Sequence, residues 1–196
     1  SRAAHFHHLA NNFEAALDGY IRLEETADLP GLILDAVSGQ MQCNFALKRY
    51  GLAIQSAQKL LTLDKLTQNL TTEAHITIAR SGYELGNKEL ARKEYDETLK
   101  LSKNEMGAEA KYMLAQLEFE NGKYDDCEKS IFALSEEFAS YDYWVAKGFL
   151  LLSDVYVKKG NTFQAKQTLQ SIIDNYEGQD LVMIAREKLG AITETN

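Results

Sequence analysis

Proline is almost missing from this chain: one residue, Pro30, stands among 196. Proline breaks helix interiors, so its scarcity leaves long helices open. Alternating Val/Ile/Thr-rich runs bounded by turn residues are missing too, which argues against a sheet. Cysteine is confined to Cys43 and Cys127, too few for a disulfide framework; both read as buried small hydrophobes. No apolar run is long enough to span a bilayer, and the longest, around residues 145–157, is broken by Lys147, Ser153 and Asp154. Direct membrane insertion is therefore not expected. Positive charge is in short supply, with 21 Lys and Arg against 29 Asp and Glu and a formal net charge of −8. Neutralising a phosphate backbone needs a basic surface, so no nucleic-acid partner is expected. A start methionine and a secretion signal are lacking, so a fragment of a longer protein is expected and the compartment stays unread.

What the chain does have is a repeat. Taking Cys127 as an anchor, small residues recur 36 to 38 positions apart at Ala16, Ala53, Ala91, Cys127 and Ala165. Four residues after each stand Tyr20, Ala57, Tyr95, Ile131 and Leu169, and seven after stand Leu23, Leu60, Thr98, Leu134 and Ile172. Those offsets mark one face of an α-helix. Twelve before each anchor come Ala4, Met41, Ala79, Ala115 and Ser153, mostly small, and one position earlier mainly core formers such as Ile78, Leu114 and Leu152. Five before stand Asn11, Lys48, Gly86, Gly122 and Gly160. Glycine there supplies the positive φ of a tight helix ending; Lys48 departs from the pattern. Each unit thus reads as helix, tight turn, helix, with small residues at the crossing. No unit buries its apolar faces alone, so the units must stack.

Leu114-Ala115, Gly122, Tyr124, Cys127 and Ile131, then Leu152-Ser153, Tyr156, Gly160, Ala165 and Leu169, resemble the tetratricopeptide repeat family. Ile78-Ala79, Gly86, Ala91 and Tyr95 form a weaker set. The family period is about 34 residues, shorter than the 36 to 38 here. The longer period, with segments such as EEFASYDYWVAKGFLLLSDVYVKKG, resembles the bacterial envelope subgroup of Tol–Pal-associated and outer-membrane-assembly lipoproteins, which would favour a periplasmic or cell-envelope location. The resemblance implies an all-α, right-handed superhelical solenoid of antiparallel helix pairs. Residues 1–196 are expected to form one domain: a truncated first repeat at 1–29, repeats at about 31–66, 71–103, 107–139 and 143–176, and a C-terminal capping helix at about 180–193.

Chemistry-bearing clusters are few. His5, His7 and His8 lie together, but no carboxylate or thiol follows at ligand spacing, so no metal site is expected. His75 reads as a packing histidine. Phosphate-binding loops, a nucleophile elbow and an oriented Cys/His pair are all missing, so no catalytic residue and no cofactor are expected. Asp125-Asp126 opens a helix and suits its dipole, and Asn69-Leu70-Thr71 is a bare glycosylation triplet.

The resemblance implies a concave groove lined by the first helix of each pair, where peptides or partner proteins bind. Phe45, Tyr83 and Phe119 stand eight before an anchor, Ile76, Tyr112 and Leu150 fifteen before, and Arg80, Gln116 and Asp154 eleven before. These nine are the candidate groove residues, with Gln42 and Gln116 expected to hold a peptide backbone. The competing reading is that the aromatic column packs adjacent units. Acidic residues at groove offsets (Asp35, Glu73, Glu84, Glu109, Glu120, Asp154) outnumber Arg80, Lys147 and Lys158, which disfavours an acidic-tail ligand. The Lys/Asn carboxylate clamp of chaperone-binding relatives is not matched, since Ser38, Gln42, Ile76 and Arg80 hold those offsets. The expected function is a non-catalytic scaffold or adaptor for a protein or extended peptide. The alternatives are a structural spacer or self-association module, through an N-terminal edge around Ala3, Phe6 and Leu9, or a non-catalytic part of an enzyme.

Overall fold

The computed structural model describes residues 12–194, and among them it contains ten α-helices and no strand. In chain order these are α1 (Phe13–Thr26), α2 (Pro30–Ala46), α3 (Tyr50–Leu61), α4 (Gln68–Glu84) and α5 (Lys88–Leu101). They continue with α6 (Glu105–Glu120), α7 (Tyr124–Glu137), α8 (Asp142–Lys158), α9 (Thr162–Asn175) and α10 (Gln179–Glu194). The chain divides into two compact units between Leu101 and Ser102.

Helix starts follow local chemistry. Asn12, Thr67, Asn87 and Asn104 each accept a hydrogen bond from a first-turn backbone N–H, the last from Met106 at 2.8 Å. Such a cap contributes about 1 kcal/mol. Pro30 opens α2, where its missing N–H costs nothing.

Four helices, α2, α4, α6 and α8, end the same way. The second residue past the cap donates its N–H back across six residues: Arg49 to the Asn44 carbonyl, Asn87 to Gly82, Lys123 to Glu118 and Asn161 to Tyr156, at 2.8 to 2.9 Å. The residue just before each donor is left-handed, with φ +75° at Gly86, +72° at Gly122 and +76° at Gly160. Lys48 takes the same conformation, φ +58°, although it carries a Cβ. The departure in sequence is no departure in structure, because the turn geometry overrides the residue's preference.

In the first unit, α1 packs on α2, α2 on α3, α3 on α4 and α4 on α5. Ala16, Ala53 and Ala91 have no exposed surface, so the small residues do sit at helix crossings. One core gathers Val37, Met41, Ala57, Leu60, Ala74 and Ile78; another gathers Ala16, Leu17, Tyr20 and Cys43. Burying a Leu or Ile at such positions stabilises by about 1.5–3 kcal/mol.

In the second unit, α6 packs on α7, α7 on α8, α8 on α9 and α9 on α10, while α6 also touches α8. Cys127, Ala165 and Ala115 are fully buried, with Ile131, Leu134, Leu169 and Ile172 around them. Helix α10 lays Leu181 and Ala185 against Ala146, Leu150, Leu169 and Ile172, covering the apolar face of the last pair. Between α7 and α8, Lys159 Nζ bridges Asp125 and Glu128 at 2.7 Å each, and Tyr156 donates to Glu128 at 3.0 Å.

Candidate partner-binding site

The candidate residues divide between the units, with Phe45, Ile76, Arg80 and Tyr83 in the first and Tyr112, Gln116, Phe119, Leu150 and Asp154 in the second.

The column fifteen before the anchors is core. Ile76 is 2% exposed, Leu150 7% and Tyr112 9%. Each lies three residues before a crossing residue (Ala79, Ser153, Ala115) and so shares the buried stripe of its helix. Leu150 packs with Leu181 and Ala185 of α10, and the Tyr112 ring lies 5.6 Å from that of Trp144. Burial pushes the Tyr112 phenol up to about 12, with smaller contributions from Tyr143 and nearby carboxylates. Ile76, Tyr112 and Leu150 therefore offer a partner almost no surface, which corrects the expectation for them.

The column eight before the anchors stays half-buried at Phe45, Tyr83 and Phe119. Phe45 leans on Tyr50 with ring centroids 5.8 Å apart, and the Arg80 guanidinium stands 6.0 Å from its centroid. Phe119 pairs with Tyr124 at 5.5 Å. Phe45 and Phe119 thus each pack against a ring of the following helix and, like Tyr83, stay half-buried.

The polar candidates are already engaged. Gln42 Nε2 reaches Glu73 at 3.5 Å; Gln116 donates to Glu120 at 3.0 Å and accepts from the Tyr112 hydroxyl at 3.3 Å. Neighbouring carboxylates have taken the amide donors expected to hold a peptide backbone. Asp154 accepts from Lys188 of α10 at 2.6 Å, so its charge is answered from within the unit. Among the other acidic residues of the groove offsets, Glu109 is buried.

One cluster was missed in the sequence. Lys147 Nζ lies 4.7 Å from the Tyr112 ring centroid, 5.0 Å from Trp144 and 5.5 Å from Tyr143. Burial lowers its pKa while Glu109 opposes that shift. Aromatics at i−4 and i−3 from a lysine on one helix were the available signal; only its charge was read.

Other sequence features resolve simply. His75 Nδ1 stands 2.6 Å from Glu94 Oε2, tying α4 to α5 as a packing histidine does. Neither Cys43 nor Cys127 is in a disulfide, both are buried, and burial pushes their thiols up to about 11 and about 12. Thiolate is the reactive form, so burial and a raised pKa both disfavour reaction at these sulfurs. Among the described residues no group of three or more His, Cys, Asp or Glu could hold a metal, and no helix is long and apolar enough to cross a membrane. His5, His7, His8 and the proposed self-association edge lie outside the described residues.

Small buried residues at Ala16, Ala53, Ala91, Cys127 and Ala165, helix pairs in succession and a shared left-handed turn describe a helical-repeat fold. Residues 76–130 match one family model described as Tetratricopeptide repeat, and residues 148–178 match a second. These two segments, residues 76–130 and 148–178, are thus similar to tetratricopeptide repeats. No curated protein matches it. Among solved structures it is similar to YrrB, described as a TPR protein with an unusual peptide-binding site. Identity is 20% and TM-score 0.68, over 94% of this chain and 88% of that one. It is also similar to MamA (17% identity, TM-score 0.69, 90% of this chain and 93% of that one). A third similar structure is BtubC (BKLC) from P. vanneervenii, at 18% identity and TM-score 0.71, over 94% and 81% of the two chains. At these identities the likeness is one of fold. Proteins with this fold generally mediate protein or peptide interactions and are typically non-catalytic scaffolds.

Proposed function

We propose that this chain is a non-catalytic scaffold that holds a protein or extended peptide on the faces of its first helices. Phe45 and Tyr83 in the first unit and Phe119 in the second would act as anchors, with Arg80 beside Phe45. The observation that carries the reading is the half-burial of these three aromatics at one repeated offset, while their neighbours at the crossing offset are fully buried. An aromatic packed on one side and open on the other is pre-organised, so a partner loses little side-chain entropy in covering it. Replacing Tyr83 and Phe119 together with Ala is expected to weaken partner capture at least about tenfold, roughly 1.4 kcal/mol, with helicity by circular dichroism unchanged. Capture that survives in a folded double variant would move the contact elsewhere.

The finer placement in the bacterial envelope group, and with it a periplasmic or cell-envelope location, rests on the 36-to-38-residue spacing. Fractionation of the native host tests it: recovery from the periplasmic or membrane fraction supports the placement, and recovery from the cytoplasm alone contradicts it.

A further inference from the structure

Within the second unit the pairs α6–α7 and α8–α9 follow one plan, yet the ends of their second helices differ. At the end of α7 the space is filled. Phe138, eleven residues after its anchor, is 1% exposed. Gly107, twenty before the anchor, lets the backbone close in: a Cβ there would stand 2.2 Å from the Ser102 carbonyl oxygen and 3.1 Å from the Phe138 ring. The negative charge at this end is met by the chain's own cations. Lys111 Nζ lies 3.1 Å from one Glu137 oxygen and Lys103 Nζ 3.4 Å from the other, with the Lys111 side chain mostly buried.

At the end of α9 the matching offsets carry Val145 for Gly107, Phe149 for Lys111, Asn175 for Glu137 and Tyr176 for Phe138. Tyr176 is only half-buried, its ring lying over Gly178, where a Cβ would come within 2.4 Å of it. An open cleft of about 300 Å³ lies here. Its apolar surface comes from Val145, Ala146, Phe149, Ile172 and Tyr176, and its only charged lining residues are Asp142 and Glu177, both acidic and exposed.

The rest of the lining offers acceptors. Asn175 spends its amide nitrogen on the Ser171 carbonyl at 2.8 Å and the Ser171 hydroxyl at 3.4 Å, leaving its oxygen for a ligand. Helix α9 ends at the cleft with no basic residue in its last turn, and unsatisfied last-turn carbonyls carry partial negative charge. Asp142, in the first turn of α8, offsets the positive end of that helix. Burial, and after it Asp180, Tyr143 and Asp142, raise the pKa of the Tyr176 phenol, in keeping with a negative rim. The cation that Lys111 supplies one pair earlier has no counterpart in this lining.

We propose that this cleft binds an arginine of a partner peptide, flanked by an apolar residue. The guanidinium would pair with Asp142 and Glu177, its stem would lie on Phe149 and Tyr176, and the apolar neighbour would fill the space toward Val145 and Ile172. A cleft of this size takes one or two large side chains, at the small end of ligand sites. The inference is independent of the groove reading, because none of the groove aromatics lines the cleft.

The test is an NMR titration of the whole chain with the capped tripeptide acetyl-Leu-Arg-Leu-amide, carried to millimolar concentration. Shifts are expected at Val145, Phe149, Ile172 and Tyr176, and the neutral citrulline analogue should bind roughly tenfold more weakly. Phe149→Lys, which places a lysine where the preceding pair has Lys111, and Asp142→Asn with Glu177→Gln should each weaken binding to a similar degree without loss of helicity. Tyr83→Ala with Phe119→Ala should leave this binding unchanged. A flat titration, equal binding of the citrulline peptide, or undiminished binding by folded Phe149→Lys would overturn the proposal.

Discussion

Lys48 holds a backbone conformation that three glycines hold elsewhere, and the cost falls on one residue. A non-glycine residue in the left-handed region is disfavoured by roughly 1–2 kcal/mol. Gly86, Gly122 and Gly160 avoid that cost at the same step of the repeat. Lys48→Gly should therefore raise stability by about 1 kcal/mol, read as a higher denaturant midpoint at unchanged slope; a fall in the midpoint would mean that the Lys48 side chain makes a compensating contact. Glu137 gives a second single-residue prediction. The hydrogen bond from Lys111, aided by Lys103, lowers its pKa below the ordinary carboxylate value. A lowered carboxylate stabilises the fold above its unfolded pKa, and that stability is lost as pH falls through the folded value. Glu137 should titrate by NMR below an unperturbed glutamate, and Lys111→Met should bring its midpoint back toward 4.5. A midpoint unmoved by that change would remove the pairing from solution.

At the scale of the helix pair, the crossing is the controlling feature. Ala115 has no exposed surface, and its helix α6 packs against both α7 and α8. Replacing it with Leu forces extra methylenes into a filled space and should destabilise by about 1–3 kcal/mol; an unchanged melting curve would contradict the assigned register. The crossings were legible in sequence because backbone approach tolerates only small side chains, and that steric demand repeats at Ala16, Ala53, Ala91, Cys127 and Ala165. The left-handed turn was legible at its glycines and hidden at Lys48, where geometry rather than residue type decides. The site was legible only in part. An offset from the anchor gives the direction of a side chain around its helix, but not how far the neighbouring helix covers it. Hence Phe45, Tyr83 and Phe119 keep open surface, while Ile76, Tyr112 and Leu150, placed in the same stripe from sequence, are core. Gln116 was read as available although Glu120 stands four residues on along the same helix, a spacing that does bring the two together; Asp154 was read so because its partner Lys188 lies 34 residues on, in α10.

For the molecule as a whole, the proposed scaffold role rests on the surface the first helices present. The chain carries a net charge of −8, and both thiols are buried in the core. What the two units present is a set of half-covered aromatics at one offset. Site-specific photocrosslinking measures this most directly. A photoreactive phenylalanine is placed singly at Phe45, Tyr83 and Phe119, with Phe163 as a control that is 72% exposed but off that offset. If first-helix faces hold the partner, positions 45, 83 and 119 crosslink to one common partner in the native host and position 163 does not. Crosslinking at 163 alone, or equally at all four positions, would contradict it.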